Sequence, residues 1–565
     1  MEWKSLQKKN TVKWLVVRIR RRIPVLILLT LCKMAGSCLG VVFALATQAV
    51  IDNATVGNRD LFYQACVRML LFIVAEVACE TYALHLQERL SADLDRDFKR
   101  DIMHKILRSD YSEISQYHSG DLLYRMNGDV SNIITSLLAI ATSAISLVSG
   151  LIAAIVALSG MDAGFTAAIF AVCLMIAAVT LLIQRCMKEI YKRVSAASGK
   201  ISGFLQEVME KLMIVQALDV APEVERRSDI LLEERWQIQR SKKNVTLSMS
   251  LGSSVLSYAG GFITLVWCAG KLLRGEITFG SLTAMTSLVA QMQGPLLALP
   301  AIIPKFVTIT ASAERLIEIE NVRPQTDLLE EGEDIVYDEL QKITAKDLFF
   351  SYTGKSGEHK TIIKGASFSI PKGGLTVITG PSGIGKSTLL KLLLGIYKPD
   401  GGVLLMENET KSIPISRSLR RMFSYAPQGN LLLSGTIREN ILLSCPDADE
   451  RDLQEAVYAS AMEEYIERLP QGLDTVLGEN GAGLSEGQVQ RISIARAVIT
   501  GAPILLLDEV TSSLDTRTEK IVLKRICSLP NRTCIAVTHR PAALELANWE
   551  LKVTEDDMKL FPANP

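Results

Sequence analysis

Four stretches of this 565-residue chain contain no Asp, Glu, Lys or Arg: 130–161, 163–184, 244–270 and 277–304. Each exceeds the roughly 20 residues a helix needs to cross a bilayer, which excludes a chain dissolved in water throughout. Two further runs, about 23–51 and 62–85, are long enough but interrupted, by Lys33 in the first and by Arg68, Glu76 and Glu80 in the second. Six spans are therefore expected. The ten cysteines form no CxxC motif and no Cys/His cluster, which argues against a zinc site or a disulfide framework. Several, Cys32, Cys38, Cys79, Cys173 and Cys268, fall inside the expected spans. Net charge is zero, with 61 basic and 61 acidic residues, and no nucleic-acid partner is expected.

Charge is plentiful where the apolar runs stop. Residues 1–22 hold eight Lys or Arg against Glu2 alone, so the N-terminus should stay in the cytoplasm and the first span should be a retained helix. Alternation then places outside three short links, Asn53–Leu61, the turn at Asp162 and Lys271–Glu276; the first carries a weak glycosylation sequon at Asn53-Ala-Thr55. The charged segments 86–129 and 185–243 fall inside. They mix apolar and charged residues at helical spacing, so the membrane helices should extend into the cytosol and turn near Ser109–Gly120 and Glu210–Pro222. With 22 residues before the first span, no leader-cleaving protease domain is expected there.

The expected organisation is a transmembrane domain over 1–320 (spans about 23–51, 62–85, 133–161, 163–184, 245–270 and 277–304), an acidic linker over 321–340, and a second domain over 341–565. From Ile343 short apolar β runs alternate with helices between Gly and Pro turns, the pattern of an α/β domain with a largely parallel sheet.

That second domain carries the chemistry. Gly380-Pro381-Ser382-Gly383-Ile384-Gly385-Lys386-Ser387 follows an expected strand, Leu375–Thr379, and opens an expected helix, Ser387–Leu394. This is the setting of a phosphate-binding P-loop: glycines let backbone N–H groups close on phosphates, Lys386 reaches the outer ones, and the Ser387 hydroxyl can hold Mg²⁺. Ile504–Leu507 reads as a buried strand ending in Asp508-Glu509 at the carboxyl edge of the sheet. Asp508 suits Mg²⁺, and Glu509 can polarise a water.

Tyr352, Gly380–Ser387, Gln428, Leu484–Gln488, Asp508, Glu509, Ser512–Asp515 and His539 stand in the order of an ATP-binding cassette. The chain resembles an ABC transporter subunit, an exporter-type half-transporter whose six-helix α-helical membrane domain is fused to an α/β P-loop NTPase domain. Gly120-Asp-Leu-Leu-Tyr-Arg125, Ser434–Asn440 and Ser312-Ala-Glu-Arg-Leu316 also look like phrases of that family. The resemblance implies ATP and Mg²⁺ as cofactors, with Thr388 ending the phosphate loop. It implies that Tyr352 stacks on adenine, Gln428 meets Mg²⁺ and the water, and His539 contacts the γ-phosphate. Asp515 would line a dimer interface, where Ser513 departs from the family's more usual Ala. The partners implied are a second half-transporter, the bilayer and an unidentified substrate. The place implied is a bacterial inner or plasma membrane, with N-terminus and ATPase domain cytoplasmic.

In this family each ATP lies between the P-loop of one chain and the signature loop of the other. Here that loop reads Leu484-Ser485-Glu486-Gly487-Gln488, with Glu486 replacing the first glycine of the usual pair, ahead of an expected helix Val489–Val498. The donors would be the Ser485 hydroxyl and the Gly487 N–H, so Glu486 can face solvent and hydrolysis should survive. A homodimer is expected; a heterodimer, an importer of exporter-like build and an ATP-gated regulator are the alternatives. In the membrane, Glu76 and Glu80 share one face of the second span, and Lys33 reaches a depth similar to that of Glu80. A Lys33–Glu80 pair is expected, leaving Glu76 to line a pathway that favours a cationic or amphipathic substrate.

Overall fold

Apolar runs in lipid can satisfy their backbone only as helices, and the chain supplies them. The computed structural model describes residues 2–117, 119–325, 337–353, 358–429, 432–478, 483–555 and 557–563. The helices of the first half are α1 (Glu2–Ile19), α2 (Ile23–Val56), α3 (Arg59–Leu107), α4 (Tyr111–Ile114), α5 (Ser119–Tyr124), α6 (Val130–Met161), α7 (Ala163–Glu210), α8 (Leu212–Ala217), α9 (Ala221–Leu273) and α10 (Phe279–Asn321). The six expected spans fall on α2, α3, α6, α7, α9 and α10. Among the described residues, Thr11–Val56, Arg59–Leu107, Ser119–Met161 and Ala221–Leu273 are long and apolar enough to cross a membrane, and Ala163–Met175 adds a shorter apolar run. The short elements α4 and α8 sit at the two expected cytoplasmic turns.

Two expectations about this half change. The Asn53–Leu61 link shrinks to Gly57-Asn58, because α2 continues to Val56 and ends on Gly57 in the left-handed conformation (φ 76°) that glycine adopts without cost. Asn53 is thus a helical residue, its Nδ2 donating to the Ala49 carbonyl at 2.7 Å, and the sequon is not in a loop. Lys33 and Glu80 form no ion pair with each other among the described residues. Glu80 instead runs along the Gly36 position of α2, its Cγ 3.9 Å from where a Cβ would stand.

Polar knots close both ends of α6. At its end, Asp162 caps α7 through the Phe165 N–H at 3.1 Å and takes the Lys271 ammonium at 2.5 Å. At its start, after one π turn over Arg125–Asp129, the fully buried Asp129 accepts from Arg315 Nε at 2.7 Å and from the Ser312 hydroxyl at 2.8 Å. Arg125 donates to the Arg315 carbonyl at 2.6 Å and to Glu318 at 2.8 Å. The two phrases 120–125 and 312–316, noted separately in the sequence, are one network. Between the knots, Val41, Ala44, Ala154, Leu158, Phe165, Met285, Leu288 and Met292 form the apolar core.

The chain divides into two compact units, 1–105 with 119–321, and 106–118 with 322–565. The second is the α/β domain. An antiparallel sheet holds β1 (Lys342–Thr353), β2 (His359–Pro371), β4 (Gly401–Glu407) and β5 (Ser412–Pro414) in the order β2-β1-β4-β5. The main sheet holds β3 (Gly374–Thr379), β6 (Phe423–Ala426), β9 (Ile504–Asp508), β10 (Thr533–Val537), β11 (Trp549–Val553) and β12 (Met558–Pro562) in the order β12-β11-β3-β10-β9-β6, parallel except for β12. A small pair, β7 (Gly435–Thr436) and β8 (Val476–Leu477), lies apart. Around them pack α11 (Lys386–Leu393), α12 (Ile437–Leu442), α13 (Glu450–Ala459), α14 (Glu463–Arg468), α15 (Glu486–Val498), α16 (Thr516–Cys527) and α17 (Pro541–Leu546).

The central strands are apolar on both faces because both are covered. Ile504 and Leu506 of β9 enter one core with Ile378, Ile535 and Val537; Leu505 and Leu507 enter the other with Leu375, Val377 and Ala536. Segment 106–118 belongs to this unit through Asp110 N–H to the Arg323 carbonyl at 2.8 Å and Tyr111 edge-on to Tyr397, ring centres 5.8 Å apart. The acidic segment 326–336 of the linker lies outside the described residues.

Candidate nucleotide site

The strand-to-helix turn between β3 and α11 is built for backbone approach. Gly380 has φ 143°, and a Cβ there would stand 2.4 Å from the Val553 carbonyl oxygen; at Gly385 (φ 114°) it would stand 2.6 Å from Ile362 Cγ2. Only glycine fits either position. Lys386, buried at the start of α11, curls over the loop and donates to the carbonyls of Gly380 at 2.7 Å and Pro381 at 2.9 Å. Burial draws its ammonium pKa down, while the Glu509 and Asp508 carboxylates pull it up. A cation whose hydrogen bonds among the described residues go to backbone carbonyls is placed to exchange them for phosphate oxygens.

Asp508 ends β9 with its carboxylate buried. Ser387 Oγ donates to one oxygen at 2.8 Å and Tyr425 OH to the other at 3.0 Å. Burial raises the Asp508 pKa, the two hydroxyls lower it, and burial prevails. Glu509 leaves the strand in the left-handed region (φ 52°), a costly conformation for a residue with a Cβ, and its carboxylate accepts from Gln428 Nε2 at 2.6 Å. The structure thus brings Lys386, Ser387, Asp508, Glu509 and Gln428 together at one sheet edge. Tyr352 stands nearby: its hydroxyl lies 3.0 Å from Thr388 Oγ1, and its ring is edge-on to Phe350 and Tyr397. His539 is exposed just beyond β10.

The 485–488 group is a second cluster, and no hydrogen bond among the described residues joins it to the 380–388 loop. Here the expected helix start is corrected. α15 begins at Glu486 and not Val489, because Ser485 and Gln488 form a capping box: Ser485 Oγ accepts the Gln488 N–H at 3.3 Å and Gln488 Oε1 accepts the Ser485 N–H at 2.8 Å. The Ser485 hydroxyl proton is not used by that cap. Glu486 is exposed in the first turn. Gly487 lies against the next loop, where a Cβ would come 3.0 Å from the Ser513 carbonyl. Asp515 caps α16 through the N–H groups of Arg517 and Thr518, both at 3.0 Å.

Three residues of this region were not singled out from the sequence. Tyr425 precedes Ala426-Pro427-Gln428 in β6, and only the parallel pairing of β6 with β9 turns it to Asp508. Gln490 of α15 donates to the hydroxyls of Ser512 and Ser513, so the Ser513 departure gains a partner. Arg540, directly after His539, donates to the Ser512 and Leu514 carbonyls and to the buried Glu519 at 3.3 Å. It ties the His539 loop to the 512–515 loop.

Two family models match the chain, "ABC transporter transmembrane region" over residues 26–296 and "ABC transporter" over 363–512. The chain belongs to the ABC transporter family. Between them the two matches take in most of the sequence, and they place membrane region and cassette in one half-transporter of exporter type. It is a membrane protein that binds ATP, an ATPase coupled to transmembrane transport. This half-transporter is 26% identical to YfiC of Bacillus subtilis (strain 168), described as an uncharacterised ABC transporter ATP-binding protein, over 98% of this chain and 91% of that one. It is 32% identical to the α-hemolysin translocation ATP-binding protein HlyB of Escherichia coli O157:H7, over 61% of this chain and 48% of HlyB. It is 29% identical to the ATP-dependent lipid A-core flippase of Vibrio cholerae, over 66% of this chain and 64% of the flippase. Its fold is that of a bacterial Atm1-family ABC exporter solved with ATP bound, with TM-score 0.81, 22% identity and 96% of each chain covered.

Proposed function

We propose that this half-transporter pairs with a second copy and exports its substrate by alternating access, each ATP lying between the 380–388 loop of one copy and the 485–488 turn of the other. The observation that carries this reading is the separation of those two groups within one cassette, with the Ser485 hydroxyl proton and the start of α15 left available for an anion. The place is a bacterial inner membrane, with N-terminus and cassette cytoplasmic.

The residues fit a divalent cation as well as a nucleotide. Ser387, Asp508 and Gln428 would hold Mg²⁺, which neutralises charge on the phosphate oxygens when bound. Lys386 leaves the Gly380 and Pro381 carbonyls for the outer phosphates, and the loop N–H groups bind the rest. Tyr352 stacks on the adenine. Glu509, steered by Gln428, accepts the proton of the attacking water, and His539 holds the γ-phosphate in place. Ser485, Gly487 and Gln488 close the site from the other copy, with Asp515 at the interface. Two short helices, α4 and α8, pass the closure to the membrane unit.

Glu76 supports a preference for cationic or amphipathic substrates. It lies beside Gln291 over Gly40, where a Cβ would stand 3.7 Å from its carboxylate and 3.5 Å from the Gln291 amide oxygen. An acid at membrane depth faces a cavity or a partner, and Glu80 and Lys33 stand on the same two helices. Glu76→Gln should weaken stimulation of ATPase by cationic compounds.

The test of the whole reading is steady-state ATPase of the chain purified alone in nanodiscs, beside Glu509→Gln. Robust turnover, abolished by that change, is the expected result. Tight ATP binding without turnover by the wild type would favour an unlike second half-transporter.

A further inference from the structure

The first turns of α15 meet two different surroundings. Ser485 and Glu486 are exposed, while Gly487 and Gln490, one turn apart on the same side, meet the 512–515 loop. Gln490 is 4% exposed, and both ends of its amide are engaged: Nε2 donates to the hydroxyls of Ser512 at 3.0 Å and Ser513 at 3.2 Å, and Oε1 accepts the Ser513 N–H at 3.1 Å. At Gly487 a Cβ would stand 3.0 Å from the Ser513 carbonyl oxygen and 3.3 Å from Leu514 Cδ2, so the turn rests directly on that loop. The loop is itself held from behind. The Ser512 N–H donates to the Glu509 carbonyl at 3.2 Å, the Leu514 N–H to the Thr511 carbonyl at 3.1 Å, and Arg540 to the Ser512 and Leu514 carbonyls.

Glu486 opens the helix, and no hydrogen bond or ion pair engages its carboxylate among the described residues. Two partners lie within its reach. The N–H groups at the start of a helix attract a carboxylate, and Gln490, four residues on, shares its stripe of the helix surface. Either contact works against phosphate binding: the first fills the helix end with its own acid, and the second draws Gln490 away from the loop. Ser513 decides the contest, because its hydroxyl and its N–H hold both ends of the Gln490 amide in a closed two-point contact. Alanine at 513 keeps the N–H and loses the hydroxyl. Glu486 and Ser513 are also the two positions where this turn and loop depart from the Gly and Ala more usual in the family, and the geometry makes the two departures one arrangement.

We propose that Ser513 is a positioning residue for the 485–488 turn. Acting through Gln490, it fixes the Gly487 N–H and the Ser485 hydroxyl in the orientation that meets a γ-phosphate held by the other copy, and it keeps the Glu486 carboxylate from claiming the helix end. Donors set in advance need no rearrangement when the two cassettes close. This inference rests on the reading that the turn closes on the ATP of a second copy, and is independent of the transported substrate.

The experiment measures kcat for ATP, the Kd for ADP and the melting temperature of the full-length protein in nanodiscs. ADP lacks the γ-phosphate that the turn would touch, so its affinity reports the 380–388 loop alone. Ser513→Ala should lower kcat about fivefold, the scale of one lost hydrogen bond, with ADP affinity and melting temperature unchanged. Ser513→Thr, which keeps the hydroxyl, should stay within about twofold of the wild type. In a Glu486→Gln background, where the competing charge is gone, Ser513→Ala should cost less than about twofold. A Ser513→Ala protein with wild-type kcat would overturn the proposal, as would a loss of kcat matched by loss of ADP affinity or of melting temperature, which marks a general loosening of the cassette. Equal costs of Ser513→Ala with Glu486 and with its glutamine replacement would overturn the competition assigned to Glu486. Ser485→Ala separates this inference from the reading beneath it: full turnover there removes the turn from the site and this inference with it, whereas lost turnover beside a silent Ser513→Ala sinks this inference alone.

Discussion

Asp129 in the membrane unit and Asp508 in the cassette are 0 and 1% exposed, yet the chain keeps them in opposite ways. Asp129 is compensated in full: a guanidinium fork from Arg315 and the Ser312 hydroxyl occupy its oxygens. Among the described residues Asp508 accepts hydrogen bonds from two hydroxyls, those of Ser387 and Tyr425, and burial leaves its pKa raised. A buried carboxylate with its cation in place is a rivet. One furnished with neutral donors alone is an incomplete site, and on the proposed reading the missing positive charge is what a divalent cation would bring.

The largest effect should come from breaking the rivet. Asp129→Ala leaves Arg315 without its partner and should cost about 3 kcal/mol, seen as a lower melting temperature of the detergent-purified protein. Replacing Asp129 and Arg315 together by leucine should cost less than the single change. The same surgery on the other acid should do the reverse: Asp508→Asn should lower ATPase by about 100-fold or more while the melting temperature holds or rises, since a buried, poorly compensated charge is removed. If Asp508→Asn unfolds the cassette as readily as Asp129→Ala unfolds the membrane unit, the contrast is wrong.

Two smaller changes sharpen it. Arg540→Lys loses the planar fork that spans the Ser512 and Leu514 carbonyls, and should lower kcat about tenfold with ATP binding kept, as measured by nucleotide titration beside turnover. Tyr425→Phe removes one donor to Asp508, worth about 1 kcal/mol. The Tyr425 hydrogen bond lowers the Asp508 pKa, so its loss raises it. The protonated, cation-free form then persists to higher pH, and the acid limb of the ATPase profile should move to higher pH, with activity at neutral pH reduced no more than about fivefold.

Much of this molecule can be read locally. Bilayer-length apolar runs placed the long helices, and the two expected turns came out at α4 and α8. Glycine spacing and flanking strand and helix were enough to expect the 380–388 loop where it stands. Local reading failed where an element's end depends on a side-chain cap. Ser485 and Gln488 pull the start of α15 back to Glu486, and the helix of α2 absorbs Asn53. It failed again for Lys33 and Glu80: equal depth in the membrane says nothing about which way two side chains point around their helices.

Sequence alone therefore determined which segments form the long apolar helices, where the glycine-rich 380–388 loop lies and which acids follow the central strand, because each depends on spacing within a few turns of chain. Only the tertiary structure decided that Arg315 answers Asp129 across 186 residues, that Tyr425 completes Asp508, that Arg540 binds two loops together, and that Arg18 and Arg22 pair with the acids of α3 and α10. Those choices are made by distant segments competing for the same buried or exposed charge, and no local pattern records the winner.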